Sequence, residues 1–420
     1  MTVGGRNAAS GSAVAYLVMR FPLITETFVL RELGAVAERV EFPIELLALR
    51  PGHRRSIHPA AASWLAVVQI GSIARGVREL LRLVITRPHI VGRVIRTLLL
   101  DYGRDPRALV RSLAVLVLTA SFVPVIRRRG IAHLHAHFAS EPAEAAWILA
   151  AFTGVTYSIT AHAYDLFMDT RGLDRRTGGA QFVACISEYN QRFLQARNPA
   201  LECPLVHCGV PTREMQRPPH APNPESTRVV MVSSFQPKKG HAVLIEALRR
   251  SPALQQTRLD LVGTGPLQSK ISGLVNSAGL KDRVNFLDDQ PEDAVRRIVA
   301  GSDVLVQPSV VAPDGDMDGI PNTLIEAMAL GIPVVTTSLS GIPELVIDGV
   351  TGVVVSPDDP DELAAGLRKV IEDPEAARRR AVAGLAKVGA EFDIACSAAA
   401  MASLLERSLD RVSRVRPAAG

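Results

Sequence analysis

Residues 301–352 read GSDVLVQPSVVAPDGDMDGIPNTLIEAMALGIPVVTTSLSGIPELVIDGVTG, and this stretch is the most informative part of the chain. The apolar run at 304–306 predicts a buried strand, which a Pro-Ser turn and an acidic loop follow. A helix comes next, with Pro321 in its first turn and Gly331 just after its end. The apolar run at 334–336 predicts a second buried strand. This order of strand, loop, helix and strand indicates a parallel sheet with the helix N-terminus at its carboxyl edge.

The start of this helix is a candidate anion site. The first N–H groups of a helix lack intrahelical partners, and the positive end of the helix dipole favours a negative group, typically a phosphate. Asp318 precedes the helix and Glu326 lies inside it. The sequence therefore predicts an anion site flanked by two carboxylates.

This arrangement resembles the Glu-x7-Glu signature of the retaining, GT-B-fold glycosyltransferases, a large family of bacterial lipopolysaccharide and exopolysaccharide transferases. The resemblance implies that Glu326 binds the ribose hydroxyls of a nucleotide-sugar. It also implies a catalytic contact between the donor sugar and Asp318, which stands where the family usually has Glu. The other expected donor-binding residues in the helix-start segment are Ile320, Pro321, Asn322 and Thr323.

The acidic loop permits two metal-binding interpretations, and we favour neither. Asp314, Asp316 and Asp318 imitate the start of an EF-hand loop, but its twelfth position is Ile325 rather than Glu. Asp314-Gly-Asp316 also resembles the Asp-x-Asp metal motif of the other glycosyltransferase fold. Because the helix dipole and lysine can neutralise a diphosphate, we expect no metal and no cofactor. For Asp314 and Asp316 the favoured interpretation is a solvated loop.

A second segment of the same half, SSFQPKKGHAVLIEAL at 233–248, resembles the family's Gly-Arg-x4-Lys-Gly segment. The family places its Arg and Lys on the donor diphosphate. The resemblance therefore implies a catalytic Lys239, with Ser234 at the position of the missing Arg and Lys238 as a candidate substitute. A lysine at the start of a helix is otherwise an ordinary solvated side chain.

Gly263 and Gly265 follow the predicted strand at 259–262 and begin the sequence GTGP. The third glycine of a dinucleotide fingerprint would fall at Gln268, so the pattern does not favour NAD. The pair resembles the family's Gly-x-Gly-Pro turn near the nucleotide. A tight strand-to-helix connection explains it equally well.

The first half carries alternating histidines, His133, His135 and His137, on one face of a probable strand. This spacing imitates zinc ligands, but no acidic or Cys partner is near in sequence. The segment and the opening FPLITETFVLREL resemble colanic-acid and exopolysaccharide transferases. There the residues after the first strand line the acceptor side, which implies exposed acceptor-side residues at Thr25, Glu26 and Thr27, together with His137.

His162, in TAHAYD, ends the apolar run VTYSIT. The resemblance implies that this histidine contacts the donor sugar and diphosphate from the first domain and takes part in catalysis. A histidine at a strand end can also be ordinary hydrogen-bonded packing, and this alternative stays open.

The chain has 420 residues, of which 47% are hydrophobic and 21% charged, and it contains four cysteines without paired metal spacing. These values are typical of a globular protein of two or three domains in a reducing compartment. The N-terminus does not resemble a secretory signal. The apolar stretch at 113–126 is interrupted by polar residues and is expected to be too short to cross a bilayer. We therefore expect a cytoplasmic protein.

Residues 54–129 hold fourteen Arg, no Lys and three acidic residues, a net charge of +11 that leaves −6 for the rest of the chain. Arginine alternates with apolar residues at helical spacing over 77–100. Basic amphipathic helices of this kind indicate binding to an anionic membrane surface, so the protein could be peripheral on the inner leaflet. Arginine stems lying over ordinary core helices are the alternative. Nucleic acid is not expected, because no binding motif accompanies the charge.

The expected architecture is α/β: a GT-B fold of two Rossmann-like domains whose parallel sheets face a central cleft. An acceptor-side domain at 1–210 contains a helical basic region at 60–129. A proline-rich hinge follows at 211–227, then a nucleotide-sugar-binding domain at 228–390. A C-terminal helix at 391–420 is expected to pack back on the first domain.

The expected function is a retaining, metal-independent hexosyltransferase for cell-surface polysaccharide. It would move a sugar from a nucleotide-sugar to a glycan or polyprenyl-linked acceptor. Two rivals stay open. An epimerase of similar fold would consume the donor without an acceptor, and a silent scaffold would bind nucleotide without turnover.

Overall fold

The structure, a computed structural model, describes residues 12–23, 26–52, 61–217 and 226–415. It divides the chain into two compact units. Unit 1 comprises the described residues of Met1–Ile186, Asn190–Val206 and Ser397–Gly420, and unit 2 those of Ser187–Tyr189 and His207–Cys396. Eight residues of the expected hinge, 218–225, lie outside the described part.

The elements of the first half, up to residue 197, are strands separated by one or more helices. They are β1 (Ala13–Phe21), α1 (Thr27–Ala37), β2 (Ile44–Pro51), α2 (Ala61–Leu65), β3 (Gln69–Ile70), α3 (Ile73–Thr86), α4 (Pro88–Tyr102), α5 (Pro106–Ala120), α6 (Val123–Arg129), β4 (Ile131–His137), α7 (Glu141–Thr153), β5 (Thr156–Ala161), α8 (Tyr164–Phe167), α9 (Leu173–Gly178), β6 (Val183–Cys185) and α10 (Glu188–Arg197).

The second half repeats the alternation. Its elements are β7 (Arg228–Val232), α11 (His241–Arg250), β8 (Arg258–Val262), α12 (Gln268–Ser277), β9 (Val284–Leu287), α13 (Glu292–Ala300), β10 (Val304–Gln307), α14 (Asn322–Ala329), β11 (Val334–Thr337), α15 (Ile342–Leu345), β12 (Val353–Val355), α16 (Pro360–Ile371), α17 (Pro374–Glu391) and α18 (Ile394–Val415).

Each unit contains one six-stranded parallel sheet, and the two sheets have the same strand order. Unit 1 is ordered β3-β2-β1-β4-β5-β6, and unit 2, read from its other edge, is β9-β8-β7-β10-β11-β12. In a doubly wound sheet of this order, ligands bind at the carboxyl ends of the strands where the winding direction reverses. These positions are the ends of β1 and β4 in unit 1 and of β7 and β10 in unit 2. The prediction of an α/β chain with two Rossmann-like domains is confirmed.

Both faces of each sheet are buried. Successive residues of a strand point to opposite faces, and residues on both sides belong to core clusters. On β1, Ala15 and Leu17 belong to one core cluster, whereas Tyr16 and Val18 belong to another. The second cluster also includes Met401 and Leu405 of α18. The C-terminal helix therefore packs on the sheet of unit 1.

The basic region forms the helices α2 to α6. The short strand β3 lies between α2 and α3, and the later helices are separated at residue 87, at 103–105 and at 121–122. Asp105 caps α5 by accepting hydrogen bonds from the amides of Arg107 and Ala108, and Pro106 occupies the first turn. The segment Pro106–Arg129 is long and apolar enough to cross a membrane, although 61% of its most apolar window is buried inside unit 1. The expectation that this segment is too short is thus wrong, since helix continues on both sides of the apolar residues.

Candidate active site

The carboxyl edge of the unit 2 sheet brings together the loops that follow β7 and β10. The amide of Val310 donates to the carbonyl of Lys238 at 2.9 Å. Gly240 lies so close to the second loop that an added Cβ would be 1.8 Å from the carbonyl oxygen of Pro308. Gly240 also has a φ of +74°, which favours glycine. The Lys-Lys-Gly sequence is therefore positioned by backbone contact with the acidic loop.

Asp318 is the centre of a hydrogen-bonded charge network at this edge. Its Oδ1 lies 2.7 Å from Nζ of Lys239, and its Oδ2 accepts a 2.7 Å hydrogen bond from Oγ of Ser309. The Asp318 carboxylate is only 6% exposed. A buried carboxylate is costly without partners, and Lys239 and Ser309 supply them.

Lys238 joins the same network through Asp316. Its Nζ lies 2.9 Å from Asp316 Oδ2 and 3.9 Å from Asp318 Oδ1. Interpreting Asp316 as part of a merely solvated loop is therefore wrong, since a lysine 78 positions earlier pairs with it. Asp314 is exposed and accepts a hydrogen bond from the amide of Asp316. Two cations and two buried or half-buried carboxylates thus share the site.

Helix α14 begins beside this network. Pro321 is its N-cap and is buried with Ile320, whereas Asn322 and Thr323 in the first turn are half-buried. Oγ1 of Thr323 is buried and has no hydrogen-bond partner among the described residues. Glu326 lies one turn further on and is also half-buried. The structure therefore places Asp318, the first amides of α14 and Glu326 along one short segment.

Gly263 and Gly265 have a structural role in this unit. An added Cβ on Gly263 would lie 2.4 Å from the carbonyl oxygen of Ser233, and one on Gly265 would lie 2.6 Å from the amide of Phe235. The amide of Phe235 in turn donates to the carbonyl of Thr264 at 3.0 Å. The two glycines thus let the loop after β8 support the 233–235 backbone, which carries the half-buried Ser234.

The carboxyl edge of the unit 1 sheet collects the residues predicted from the first half. Glu26 and Thr27 start α1 and are half-buried rather than exposed, and Thr25 lies outside the described residues. His137 ends β4, and His162 follows β5.

Burial raises the pKa of the Glu26 carboxyl from 4.5 to about 7, and the nearby His137 opposes this shift.

Aromatic rings and hydrogen-bonding groups surround the buried His162. Its ring centroid lies 4.4 Å from that of Phe138 and 4.9 Å from that of Phe28. Its backbone amide donates to Asp165, which also accepts from the amide of Ala139 at 2.7 Å. Burial lowers the pKa of His162 well below 6.5, and His137 acts in the same direction. His162 is therefore a neutral imidazole at physiological pH.

The backbone at Phe138 is strained. Its φ is +80°, a conformation that bulky residues rarely adopt. Its amide donates to the carbonyl of Thr160 at 2.9 Å. The chain thereby turns sharply at the end of β4 and carries the Phe138 ring onto His162.

Glu32, His137 and His162 are connected by hydrogen bonds at this edge of the sheet. Nε2 of His137 lies 3.1 Å from Oε1 of Glu32, and its Nδ1 lies 3.4 Å from Nε2 of His162. Tyr16 Oη donates to the same oxygen of Glu32 at 3.3 Å. Although burial acts to raise the pKa of Glu32, the histidines and the Tyr16 hydrogen bond hold it below 4.5. Glu32 is therefore an ionised acceptor.

The other two histidines of the alternating set pair with β5. His133 contacts the hydroxyls of Thr156 and Ser158, each at 2.8 Å. His135 contacts the hydroxyls of Ser158 at 2.8 Å and Thr160 at 3.0 Å. The alternating histidines thus form a row of buried hydrogen bonds between the neighbouring strands β4 and β5.

Glu32, His135 and His137 also form a possible metal-ligand group, with ligand atoms all within 4.8 Å. Sequence spacing missed the acidic partner, because Glu32 lies on α1. However, both ring nitrogens of His135 already bond to hydroxyls, and the contact from His137 to Glu32 has the length of a hydrogen bond. We therefore interpret the group as a hydrogen-bond network, and the absence of a metal stays a prediction.

Comparison with known proteins shows what this chain is similar to. Residues 212–385 match the family of group 1 glycosyl transferases. The chain is 29% identical over 374 residues to the colanic acid biosynthesis glycosyltransferase WcaL of Escherichia coli, covering 84% of this chain and 89% of the relative. It is 34% identical over 184 residues to the amylovoran biosynthesis glycosyltransferase AmsK of Erwinia amylovora, covering 43% and 44% of the two chains.

Solved structures share the fold. HepE of Anabaena, in complex with UDP, has a TM-score of 0.70 at 20% identity and covers 94% of this chain and 100% of its own. Sucrose-phosphate synthase of Thermosynechococcus elongatus has a TM-score of 0.73 at 18% identity, covering 96% and 100%. The fold is therefore GT-B, and the chain is similar to group 1 glycosyl transferases and to enzymes of bacterial polysaccharide synthesis.

Proposed function

We propose that this protein is a retaining glycosyltransferase that moves a sugar from a nucleotide-sugar donor to a glycan or polyprenyl-linked acceptor. The observation that carries the proposal is the network of Lys239, Asp318 and Ser309 beside the start of α14. It lies at the point of the unit 2 sheet where doubly wound folds bind nucleotides.

We assign the donor to unit 2. Glu326 would accept hydrogen bonds from the ribose hydroxyls, and the amides at 322–323 would meet the diphosphate. Lys239 and Lys238 would supply positive charge, with Ser234 leaving room where the related enzymes have Arg. HepE has been crystallised in complex with UDP-glucose. This supports a nucleotide-sugar as the donor of the present protein but does not identify the base or the sugar.

The Lys–Asp pairing has a consequence for donor binding. Each lysine is already held by a carboxylate, so a diphosphate has to share these cations with Asp316 and Asp318. Such sharing keeps the lysines in position before the donor arrives, which reduces the cost of ordering them. Once the diphosphate shares the lysines, Asp318 would accept a hydrogen bond from a hydroxyl of the donor sugar.

We assign the acceptor to unit 1. A cavity of about 270 Å³ lies beside the His162 edge, and its lining includes Arg111, Glu141, Tyr164 and Asp169. The Tyr164 ring lies 5.3 Å from Phe138, which connects the cavity to His162. Aromatic faces and paired charges of this kind suit a sugar. The half-buried Glu26 and Thr27 form the other side of the proposed acceptor region. The prediction that His137 also lines it is wrong, because this side chain is fully buried.

In the transfer step, the bond between the anomeric carbon and the diphosphate oxygen breaks, and a bond to the acceptor oxygen forms on the same face. The departing diphosphate takes the proton of the acceptor hydroxyl, so atoms and charge balance. The protein supplies positioning and charge stabilisation through Lys239, the α14 amides and His162.

A specific feature of α3 supports docking to an anionic membrane. Ile73, Val77, Leu81, Val84 and Ile85 form an apolar stripe that is 43–81% exposed. The opposite face holds Gly76, where an added Cβ would lie 1.9 Å from the carbonyl oxygen of Val117. This close contact fixes which face of the helix points outward.

Arginines flank the exposed stripe, notably the exposed Arg75, Arg78 and Arg82. An exposed apolar stripe beside basic side chains is typical of helices that lie in a membrane interface. A protein of this kind would meet a polyprenyl-linked acceptor at the inner leaflet. We therefore propose a cytoplasmic enzyme that binds the membrane peripherally through α3.

The function is tested in two stages. A thermal-shift screen of UDP-, GDP- and ADP-sugars identifies the donor, because a specific ligand stabilises the folded state by mass action. The selected donor is then incubated with and without lipid extract or oligosaccharide acceptors, and products are followed by mass spectrometry and by NMR of the anomeric proton. Acceptor-dependent transfer with retained configuration supports the proposal. Donor conversion without acceptor would indicate an epimerase, and binding without turnover a scaffold.

A further inference from the structure

We propose that the cavity of about 270 Å³ in unit 1 holds one uncharged sugar unit of the acceptor and rejects acidic sugars. Arg111, Glu141 and Asp169 would bind the hydroxyls of this sugar, and Tyr164 would contact the face of its ring. That the sugar belongs to an acceptor rests on the proposed function, whereas the binding of the sugar itself does not.

The cavity lies at the carboxyl edge of the unit 1 sheet. Ser140 and Glu141 of its lining follow β4, and Tyr164 and Asp165 follow β5. Its volume is below the roughly 300–1,000 Å³ of pockets that take drug-sized ligands, so it has room for one sugar ring but not for an oligosaccharide. A glycan would therefore enter by a single unit.

The buried lining residues Tyr102, Ser112, Glu144 and Arg176 form the floor of the cavity, and their polar groups bond to one another. Oγ of Ser112 donates to Oε1 of Glu144 at 2.5 Å, and Oη of Tyr102 donates to Oε2 at 2.8 Å. Nη1 of Arg176 donates to Oη of Tyr102 at 2.8 Å. All four residues are at most 7% exposed, so the floor sets the depth of the cavity.

The more exposed lining residues Arg111, Glu141, Tyr164, Met168 and Asp169 form the rim, where charged groups face one another without bonding. Nη2 of Arg111 lies 3.7 Å from Oδ2 of Asp169, and its Nε lies 3.6 Å from Oε1 of Glu141. Both distances are too long for a hydrogen bond. A hydroxyl among these groups can accept from the guanidinium and donate to a carboxylate, because it does both. Sugar hydroxyls therefore match the rim.

Asp169 is held in place by Arg171. The guanidinium of Arg171 donates to both carboxylate oxygens, from Nε at 2.8 Å and from Nη2 at 2.7 Å. These hydrogen bonds hold the pKa of the Asp169 carboxyl below its usual range, so it is an ionised acceptor at neutral pH. Nη1 of Arg171 donates in turn to Asp105 at 2.9 Å. The acceptor for a sugar hydroxyl is thus in position before the ligand binds.

Tyr164 and Met168 supply apolar surface on the same rim. They are 38% and 46% exposed, although both are large and largely apolar. The Tyr164 ring also packs near Phe138, with centroids 5.3 Å apart. An aromatic ring beside a few hydrogen-bonding groups suits a sugar, whose C–H face is apolar and whose edge carries hydroxyls.

The charges of the rim disfavour an acidic ligand. Among the described residues of the rim, Arg111 is the only cation, and it already faces two carboxylates. The carboxylate of an acidic sugar would compete with Glu141 and Asp169 for one guanidinium and would lie close to like charge, which costs affinity. On the floor, Arg176 already donates from both Nε and Nη1. An uncharged sugar avoids this competition.

The experiment uses saturation-transfer NMR on the full-length protein. The probes are the methyl glycosides of glucose, galactose, mannose and N-acetylglucosamine, each also as its uronic acid. A ligand of this size is expected to have a dissociation constant of about 1 mM, so each probe is added at about 10 mM. We expect saturation transfer to at least one uncharged glycoside and none to its uronic acid.

Variants locate this binding in the cavity. Arg111→Met and Asp169→Asn should each weaken it about tenfold or more, because each removes a partner of the sugar hydroxyls. Glu141→Gln removes one competing carboxylate and should make binding of the uronic acid detectable. Arg107→Met, at an exposed position of α5 one turn before Arg111, is the matched control and should change neither.

The proposal would be overturned if no uncharged glycoside received saturation, or if the uronic acid bound as well as its uncharged counterpart. Binding that is unchanged in Arg111→Met would also overturn it, and this half-exposed position decides even if Asp169→Asn does not fold. Glycoside binding without any transfer would leave this site standing and count against the proposed function. Transfer with an unchanged acceptor KM in Arg111→Met would count against this site alone.

Discussion

Lys239 and Asp318 form an ion pair of 2.7 Å across 79 positions of sequence, between the loops after β7 and β10. Both side chains are at least four-fifths buried, and Ser309 occupies the second oxygen of the carboxylate. The pair thus links the two segments from which the proposed donor site is built.

Lys239→Met should lower stability and donor affinity together. Removing the lysine leaves the buried Asp318 with Ser309 and a distant Lys238, which we expect to cost about 1–3 kcal/mol. The double variant Lys239→Met/Asp318→Asn removes both charges and should regain most of this stability while donor binding stays weak. Thermal unfolding followed by circular dichroism measures the first effect, and calorimetry the second. Equal stability of the single and double variants would show that the pair is not coupled.

Ser234→Arg should tighten the binding of UDP or GDP about tenfold at low salt, because it adds a further cation, with a planar guanidinium, beside the diphosphate. The gain should shrink as salt rises. Gln236→Arg adds the same charge at an exposed position two residues later and serves as the control. An equal effect of both variants would indicate general electrostatic attraction and would place Ser234 outside the donor site.

The fold of this chain was predictable where its signals are local. Apolar runs bounded by Pro and Gly predicted β10, α14 and β11 to within one or two residues, because these signals act on neighbouring positions. The apolar stretch at 113–126 is too short by sequence alone, because polar residues interrupt it, whereas in the structure it lies within the longer helical segment Pro106–Arg129.

The site was less predictable, because its partners meet only through the fold. Glu32 reaches His137 from 105 positions away, and Lys238 reaches Asp316 from 78 positions away. No periodicity relates such residues. The orientation of α3 was also hidden, because an apolar stripe in the sequence normally indicates the buried face, whereas here Gly76 and Leu83 face the core.

Glu26→Gln should change how the stability of unit 1 depends on pH. The folded state keeps the Glu26 proton up to about pH 7, whereas the unfolded state releases it near 4.5. The folded state therefore binds more protons in this window, and stability falls as pH rises from 4.5 to 7, by at most about 3 kcal/mol. The variant should lack this decrease. Both tryptophans, Trp64 and Trp147, lie in unit 1, so their fluorescence reports its unfolding.

The control for this titration is Glu38→Gln, at the exposed end of the same helix α1. It should keep the wild-type pH dependence. If Glu26→Gln also keeps it, the carboxyl of Glu26 titrates normally and is not in the buried environment described above.

Leu81→Asp/Ile85→Asp should abolish binding to vesicles that contain anionic lipid while leaving donor binding intact. The two positions are 60% and 81% exposed, so the changes do not disturb the core. Neutralising Arg78, Arg82, Arg93 and Arg96 should also release the protein, because each arginine contributes about 1 kcal/mol near an anionic surface. Val382→Asp, at a 57% exposed position of unit 2, is the matched control. Wild-type protein that stays in the supernatant at low salt would contradict membrane docking.

The central claim is that the carboxyl edge of the unit 2 sheet binds a nucleotide-sugar through Glu326. Its most direct test is calorimetric titration of the donor selected by the thermal-shift screen into the wild-type protein, Glu326→Ala and Asp314→Ala. Hydrogen bonds from two ribose hydroxyls to a carboxylate contribute about 1.5–3 kcal/mol each, so Glu326→Ala should weaken binding about a hundredfold or more. Asp314→Ala, in the exposed part of the acidic loop, should bind like the wild type. Unchanged affinity in folded Glu326→Ala would contradict the account.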